Sequence, residues 1–204
     1  MPNFLSAFFD LFKPSSAKSN FPVDSLNEPA QTTQSKVLLI VYDPIMDKAN
    51  GITLSQQQKW YRVPDLITGF MSDMLEVTGG LVRYQIVERV DVDEFPAKTD
   101  GFRYTPQTYL DVLQRKASPH MPQEVDYNAI LTKYNILQRV ARNEIDEVWV
   151  FGFPHAGFYE STMGGPDAFW CNSQPLKNTS ASKRRFVIMG FSYERHIGEM
   201  QEAY

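Results

Sequence analysis

A single cysteine, Cys171, occurs among 204 residues, which excludes an intrachain disulfide framework and a cysteine-rich zinc site. Several motifs are missing as well. There is no H-E-x-x-H pair, no G-x-S-x-G turn, and no G-x-G-x-x-G after any apolar run. Zincin chemistry, the strained nucleophile elbow and nucleotide cofactors therefore have no support in the chain. Met163-Gly-Gly-Pro166 lacks the Lys-Ser/Thr end of a phosphate loop. Basic charge is scarce too, with 20 Lys and Arg against 24 Asp and Glu and a net charge of −4. The one tight basic cluster, Lys183-Arg184-Arg185, is expected to be a solvated edge, and no nucleic-acid partner is expected. No apolar run is long enough to cross a bilayer. The apolar head from Met1 to Phe12 has Asp10 inside it and no basic n-region, so a secretory signal is not indicated and a cytoplasmic location is expected.

What remains is a globular composition, 43% hydrophobic and 13% aromatic, at a length suited to one domain. Residues 1–35 turn from the apolar head into a stretch rich in Pro, Ser, Asn and Gln, and are expected to form a flexible tail. A single domain is expected over 36–204. Val37-Leu-Leu-Ile-Val41 is a continuous apolar run closed by Tyr42-Asp43-Pro44, as in a central strand covered on both faces. Three- and four-residue spacing of Val63, Ile67, Phe70 and Met74 predicts a helix over 58–77 that ends at Gly79-Gly80. Strands follow at 81–87, 148–151 and 186–191. Helices start at Thr105-Pro106 and at Asp126, and a last one starts at Tyr193. Alternating strands and helices predict an α/β fold with a mainly parallel, Rossmann-like or flavodoxin-like sheet and helices on both faces. The last helix runs to Tyr204 without a stop signal, so a C-terminally incomplete domain is expected.

A parallel sheet would bring three strand ends together: Asp43 after the first, Pro154 to Ser161 after the third, and Ser192 to His196 after the fourth. The carboxyl edge of such a sheet is where ligands bind. Glu160, Glu194, Asp43 and His155 are the candidate catalytic groups, since carboxylates beside an imidazole suit general acid–base work. Oxygen and imidazole donors would equally suit a divalent metal. Tyr159, Ser161, Arg195, Asp167, Trp170 and Asn172 are the candidate substrate-binding residues, for a polar small molecule or a carbohydrate. Each group also has a structural alternative: Asp43 as an Asx-type turn, Glu194 and Arg195 as a mutual pair, the aromatics around 158–170 as a plug over the sheet end.

The segments Asp146 to Pro154, Gly157-Phe-Tyr-Glu-Ser161, Ala168-Phe-Trp-Cys-Asn-Ser173 and Arg185 to Arg195 resemble those of a family of bacterial proteins to which no activity is assigned. The resemblance covers most of 36–204 and implies that these loops belong together, while leaving the reaction open. Two function classes are carried forward: a hydrolase using carboxylate and imidazole groups, perhaps with a metal, and a non-catalytic module that binds carbohydrate or protein through its aromatic loop.

Overall fold

The computed structural model describes residues 31–203; most of the expected tail lies outside the described residues. Strand β1 (Thr33–Tyr42) is buried from Val37 onward, as its unbroken apolar run requires. It pairs in parallel with β4 (Val82–Val92) on one side and β5 (Glu147–Gly152) on the other. β5 pairs in parallel with β7 (Phe186–Ser192), and the short β6 (Ser161–Gly164) closes that side antiparallel to β7. The result is a mixed α/β fold with a five-stranded, mostly parallel sheet in the order β4-β1-β5-β7-β6. A small hairpin, β2 (Ile45–Asp47) and β3 (Ile52–Thr53), leaves the end of β1. The register of β1 with β4 shifts between Val37 and Leu38, which leaves Val87 of β4 without a partner in the ladder.

Helices α1 (Leu54–Gln58), α2 (Val63–Val77), α3 (Pro106–Leu113), α4 (Tyr127–Lys133), α5 (Ile136–Ala141) and α6 (Ile197–Glu202) fill the connections. In α2, Val63, Leu66, Ile67 and Phe70 are buried, the stripe that 3.6-residue periodicity places on one face. Phe70 lies against Tyr84 of β4, Trp149 of β5 and Phe191 of β7, with ring centroids 6.1, 5.4 and 5.8 Å away, so one side chain spans three parallel strands. Thr105 and Thr108 form a reciprocal capping box at α3, and the Asp126 side chain caps α4 by accepting from the Ala129 N–H.

Two expected helices differ from the pattern that predicts them. The helix expected over 58–77 begins only at Val63, after Lys59 ends the separate helix α1, and the one after Asp126 breaks at Asn135; both Lys59 and Asn135 hold left-handed backbone. Apolar periodicity runs across such breaks, so it does not report them. The last helix begins at Ile197 rather than Tyr193, because Tyr193 to Arg195 turn sharply. The basic triplet is not simply solvated edge: Arg184 donates from Nε to the Val140 carbonyl (3.0 Å) and from one terminal nitrogen to the Ile145 carbonyl and Asp146 (2.6 and 2.7 Å). It thereby fastens the end of α5 to the start of the sheet. No helix among the described residues is long and apolar enough to cross a membrane.

Candidate functional site

The parallel strands place their carboxyl ends on one edge of the sheet, and because β6 runs antiparallel its first residue, Ser161, arrives at that edge too. The crossover direction changes between β1 and β5, the position at which α/β sheets usually open a crevice. Aromatic residues close it here. Phe158 packs on Tyr42 at 5.6 Å, Tyr193 packs on Phe153 at 6.2 Å, and the Tyr193 hydroxyl donates to the Tyr42 carbonyl (3.1 Å). The cleft opens one strand further along, between the ends of β5 and β7. It measures about 300 Å³ and is lined by His155, Glu160, Glu194, Arg195, Glu199 and Met200, among others. That volume suits a small ligand.

The loop that carries His155 is held by a complete set of carbonyl partners. Phe153 to Ala156 is a β-turn closed by the Ala156 N–H to the Phe153 carbonyl (2.9 Å), with Pro154 second and His155 third at φ +64°. The third position of such a turn favours glycine or asparagine. The carbonyl of Pro154 accepts from the Tyr109 hydroxyl (2.9 Å), those of His155 and Ala156 from the Lys98 ammonium (2.7 and 2.8 Å), and that of Gly157 from the Val125 N–H (3.1 Å). Four consecutive acceptors are satisfied, three of them by side chains. Gly157 sits at φ +93°, and a Cβ there would fall on the Gln123 carbonyl oxygen and 2.7 Å from the Lys98 nitrogen. Further on, Gly190 of β7 lets the 158–160 segment cross directly over the strand, its N–H donating to the Glu160 carbonyl (3.0 Å).

Electrostatics follow from burial. Desolvation and the nearby Lys98 charge both hold the His155 pKa below its ordinary 6.5, so the imidazole is neutral at physiological pH. Burial pushes Lys98 down from 10.5 to about 8, with Glu124 and Asp100 pulling it back up. Charging Lys98 therefore costs the fold its full penalty below pH 8, and the penalty is relieved as pH rises from about 8 toward 10.5. The hydroxyls of Tyr109 and Tyr193 are pushed well above the ordinary tyrosine value, chiefly by desolvation, and act as neutral donors.

The expected site residues separate into three groups. His155, Glu160, Glu194 and Arg195 line the cleft together, and Arg195 reaches Glu199 of α6 at 3.4 Å. Glu160 and Glu194 are exposed. Asn172 touches this group through Glu160, its Nδ2 lying 3.4 Å from a carboxylate oxygen. Trp170 and Asp167 are exposed on the same loop, outside the cleft wall. Tyr159 is stacked on Tyr127 at 5.8 Å, and Ser161 is buried at the start of β6. Asp43 is not in the cleft wall: its two oxygens accept from the Ser55 N–H (2.9 Å) and hydroxyl (2.6 Å) and so tie β1 to α1, and its charge helps hold the Tyr193 hydroxyl neutral. Asp43→Ala is accordingly expected to lower stability by about 2 kcal/mol in urea denaturation while leaving the residues that line the cleft in place. Among the described residues, no three His, Cys, Asp or Glu side chains are grouped closely enough to hold a metal ion. Lys98, Tyr109 and Glu199 are the contributors that sequence reasoning missed. Glu199 carries a weak signal, four residues after Arg195 on a helix; Lys98 and Tyr109 carry none.

No protein-family model, curated protein or solved structure matches this chain.

Proposed function

We propose that the cleft is a hydrolytic active site working by general acid–base catalysis on a small polar substrate. The observation that carries this is the meeting of a neutral imidazole, His155, with two carboxylates, Glu160 and Glu194, around one cavity at the carboxyl edge of the sheet. A neutral imidazole can take a proton from water and, as imidazolium, return that same proton to the leaving group, while the carboxylates offset its transient positive charge. Arg195, steadied by Glu199, is suited to orient an anionic or carbonyl oxygen. Asp43 does not line this cavity and is given no step in the scheme. The fold itself is read as flavodoxin-like with helices on both faces; the parallel strands, numbered among themselves, run 2-1-3-4, which supports that assignment. Membership of the bacterial family is likewise proposed; its four segments carry Glu160, Glu194 and Arg195 of the cleft, whereas His155 and Glu199 lie outside them.

The test is a panel of chromogenic esters, phosphoesters, amides and glycosides, each with and without divalent cations, presented to the purified chain and to His155→Gln. Turnover by the parent chain, rising with pH through a midpoint below 6.5 and about 10²- to 10⁴-fold slower in the variant, is the expected result. Turnover that survives the substitution removes His155 from the chemistry.

A second reading has one observation in its favour. Phe169 and Trp170 are 54% and 64% exposed, and Trp170 neighbours Asn172 on the loop. Exposed rings beside amide and carboxylate groups suit stacking on a sugar face or docking of a partner protein. Trp170→Ala separates the two readings: it abolishes binding in a non-catalytic module and leaves turnover in a hydrolase.

A further inference from the structure

We infer that Lys98 is the positioning residue of this cleft: its ammonium clamps the 123–125 segment to the loop carrying His155 and so fixes where that imidazole stands. The inference rests on the reading of His155 as the base. Lys98 is 1% exposed, yet all its acceptors are backbone carbonyls: Gln123 at 2.7 Å, His155 at 2.7 Å and Ala156 at 2.8 Å. Three donors meet three acceptors from two separate stretches of chain. A buried ammonium without a carboxylate at bonding distance is costly, and an apolar side chain of similar volume would be cheaper. No other protein group could satisfy these three oxygens at once with a single atom, because an ammonium points three N–H bonds in diverging directions. Gly157 presses close enough that no larger residue leaves room for the nitrogen.

The clamp also has an electrostatic consequence. A fixed positive charge directly behind the His155 backbone disfavours the imidazolium and adds to the effect of desolvation. The titratable and charged groups around Lys98 are few. Asp100 lies on its own segment and is paired with His120 at 2.7 Å, Glu124 comes from the clamped segment, and His155 from the loop. The Tyr104 ring lies 5.8 Å from the nitrogen. On the cleft side His155 shares its cavity with Glu160, Glu194, Arg195 and Glu199, and Lys98 is the charge that adds to desolvation in lowering its pKa.

The experiment uses isotope-labelled full chain and Lys98→Met, with folding of the variant checked by circular dichroism. The three histidines are assigned and titrated by NMR. The expected result is that His155 titrates below 6.5 in the parent and moves upward in the variant, while the amide signals of 123–125 and 155–157 shift together and His196 stays unchanged. An unchanged His155 midpoint with unchanged amides, in a folded variant, overturns the inference. Should Lys98→Met fail to fold, the parent alone decides. Deprotonation near pH 8 leaves two N–H donors for three carbonyls, so amides on both sides of the clamp are expected to move with the midpoint of the Lys98 signal. Separate midpoints overturn the inference. Failure of the catalytic reading looks different: His155→Gln keeps its turnover, whatever Lys98 does to the imidazole.

Discussion

Gly157→Ala is expected to lower the free energy of unfolding by about 4 kcal/mol, from left-handed strain together with overpacking. At φ +93° the backbone lies in a region that an L side chain rarely adopts, and the added methyl would meet the Gln123 carbonyl, the Lys98 nitrogen and, at 3.0 Å, the Val125 amide nitrogen. Two of these are backbone and the third is a fully engaged ammonium, so none can yield without releasing hydrogen bonds. Urea denaturation of the variant measures the loss. Gly198→Ala is the control: it lies on α6, has an ordinary φ, and a Cβ there meets nothing within 4 Å, so it is expected to be neutral or to stabilise by up to about 1 kcal/mol. Equal losses at the two sites would sink the account of a jammed clamp.

His155→Gly is expected to have opposite effects on stability and activity. Glycine adopts the left-handed conformation without penalty, so the variant is expected to gain about 1 kcal/mol. Among the described residues the imidazole makes no hydrogen bond that would be lost. The gain should depend on pH. Because the folded pKa of His155 lies below the ordinary value, the unfolded chain binds the additional proton first. The parent therefore loses stability as pH falls from 6.5 through the folded value, and the variant does not. The stability gap accordingly widens on acidification. In the same protein, turnover in the cleft is expected to fall by about 10²- to 10⁴-fold. Thermal melts across pH 4 to 8 check the first effect and the chromogenic panel the second. Left-handed backbone at a non-glycine residue stores strain, and at His155 it does so in the cleft wall; a variant that neither gains stability nor loses turnover would remove the reading that function and stability are opposed there.

How much of this was legible from the residues depends on what sets each element. β1, β5 and β7 could be read because strands buried on both faces must be continuously apolar, and Val37 to Val41, Val148 to Phe151 and Phe186 to Phe191 are largely so. The grouping of His155, Glu160 and Glu194 followed from strand direction alone, with each just past a strand end or just before one. β6 was missed because Ser161-Thr-Met-Gly164 has neither length nor apolar alternation; tertiary pairing with β7 makes it a strand. β4 was cut short at Val87, since the apolar alternation of Val82, Tyr84 and Ile86 is interrupted there by Val87 and the charged Glu88-Arg89. The breaks at Lys59 and Asn135 depend on single left-handed residues that are neither glycine nor proline. Lys98 was invisible for a deeper reason: a lysine after Phe95-Pro-Ala reads as surface, and only the arrival of three carbonyls from two other segments makes its burial tolerable.

The unpaired residue at Val87 has a consequence for how molecules of this protein meet. β4 is the terminal strand of the sheet among the described residues, eleven residues long, with a half-open Val87 at its middle. A straight, continuous edge of that length is an invitation to a neighbouring chain. Here the extra residue reverses which face each side chain occupies on either side of the irregularity. An incoming strand that matches the Val82 to Ile86 half is therefore out of phase with the Glu88 to Val92 half, where Glu88, Arg89 and Asp91 also set charges against it. The irregularity thus interrupts the regular edge that strand addition from another molecule would need.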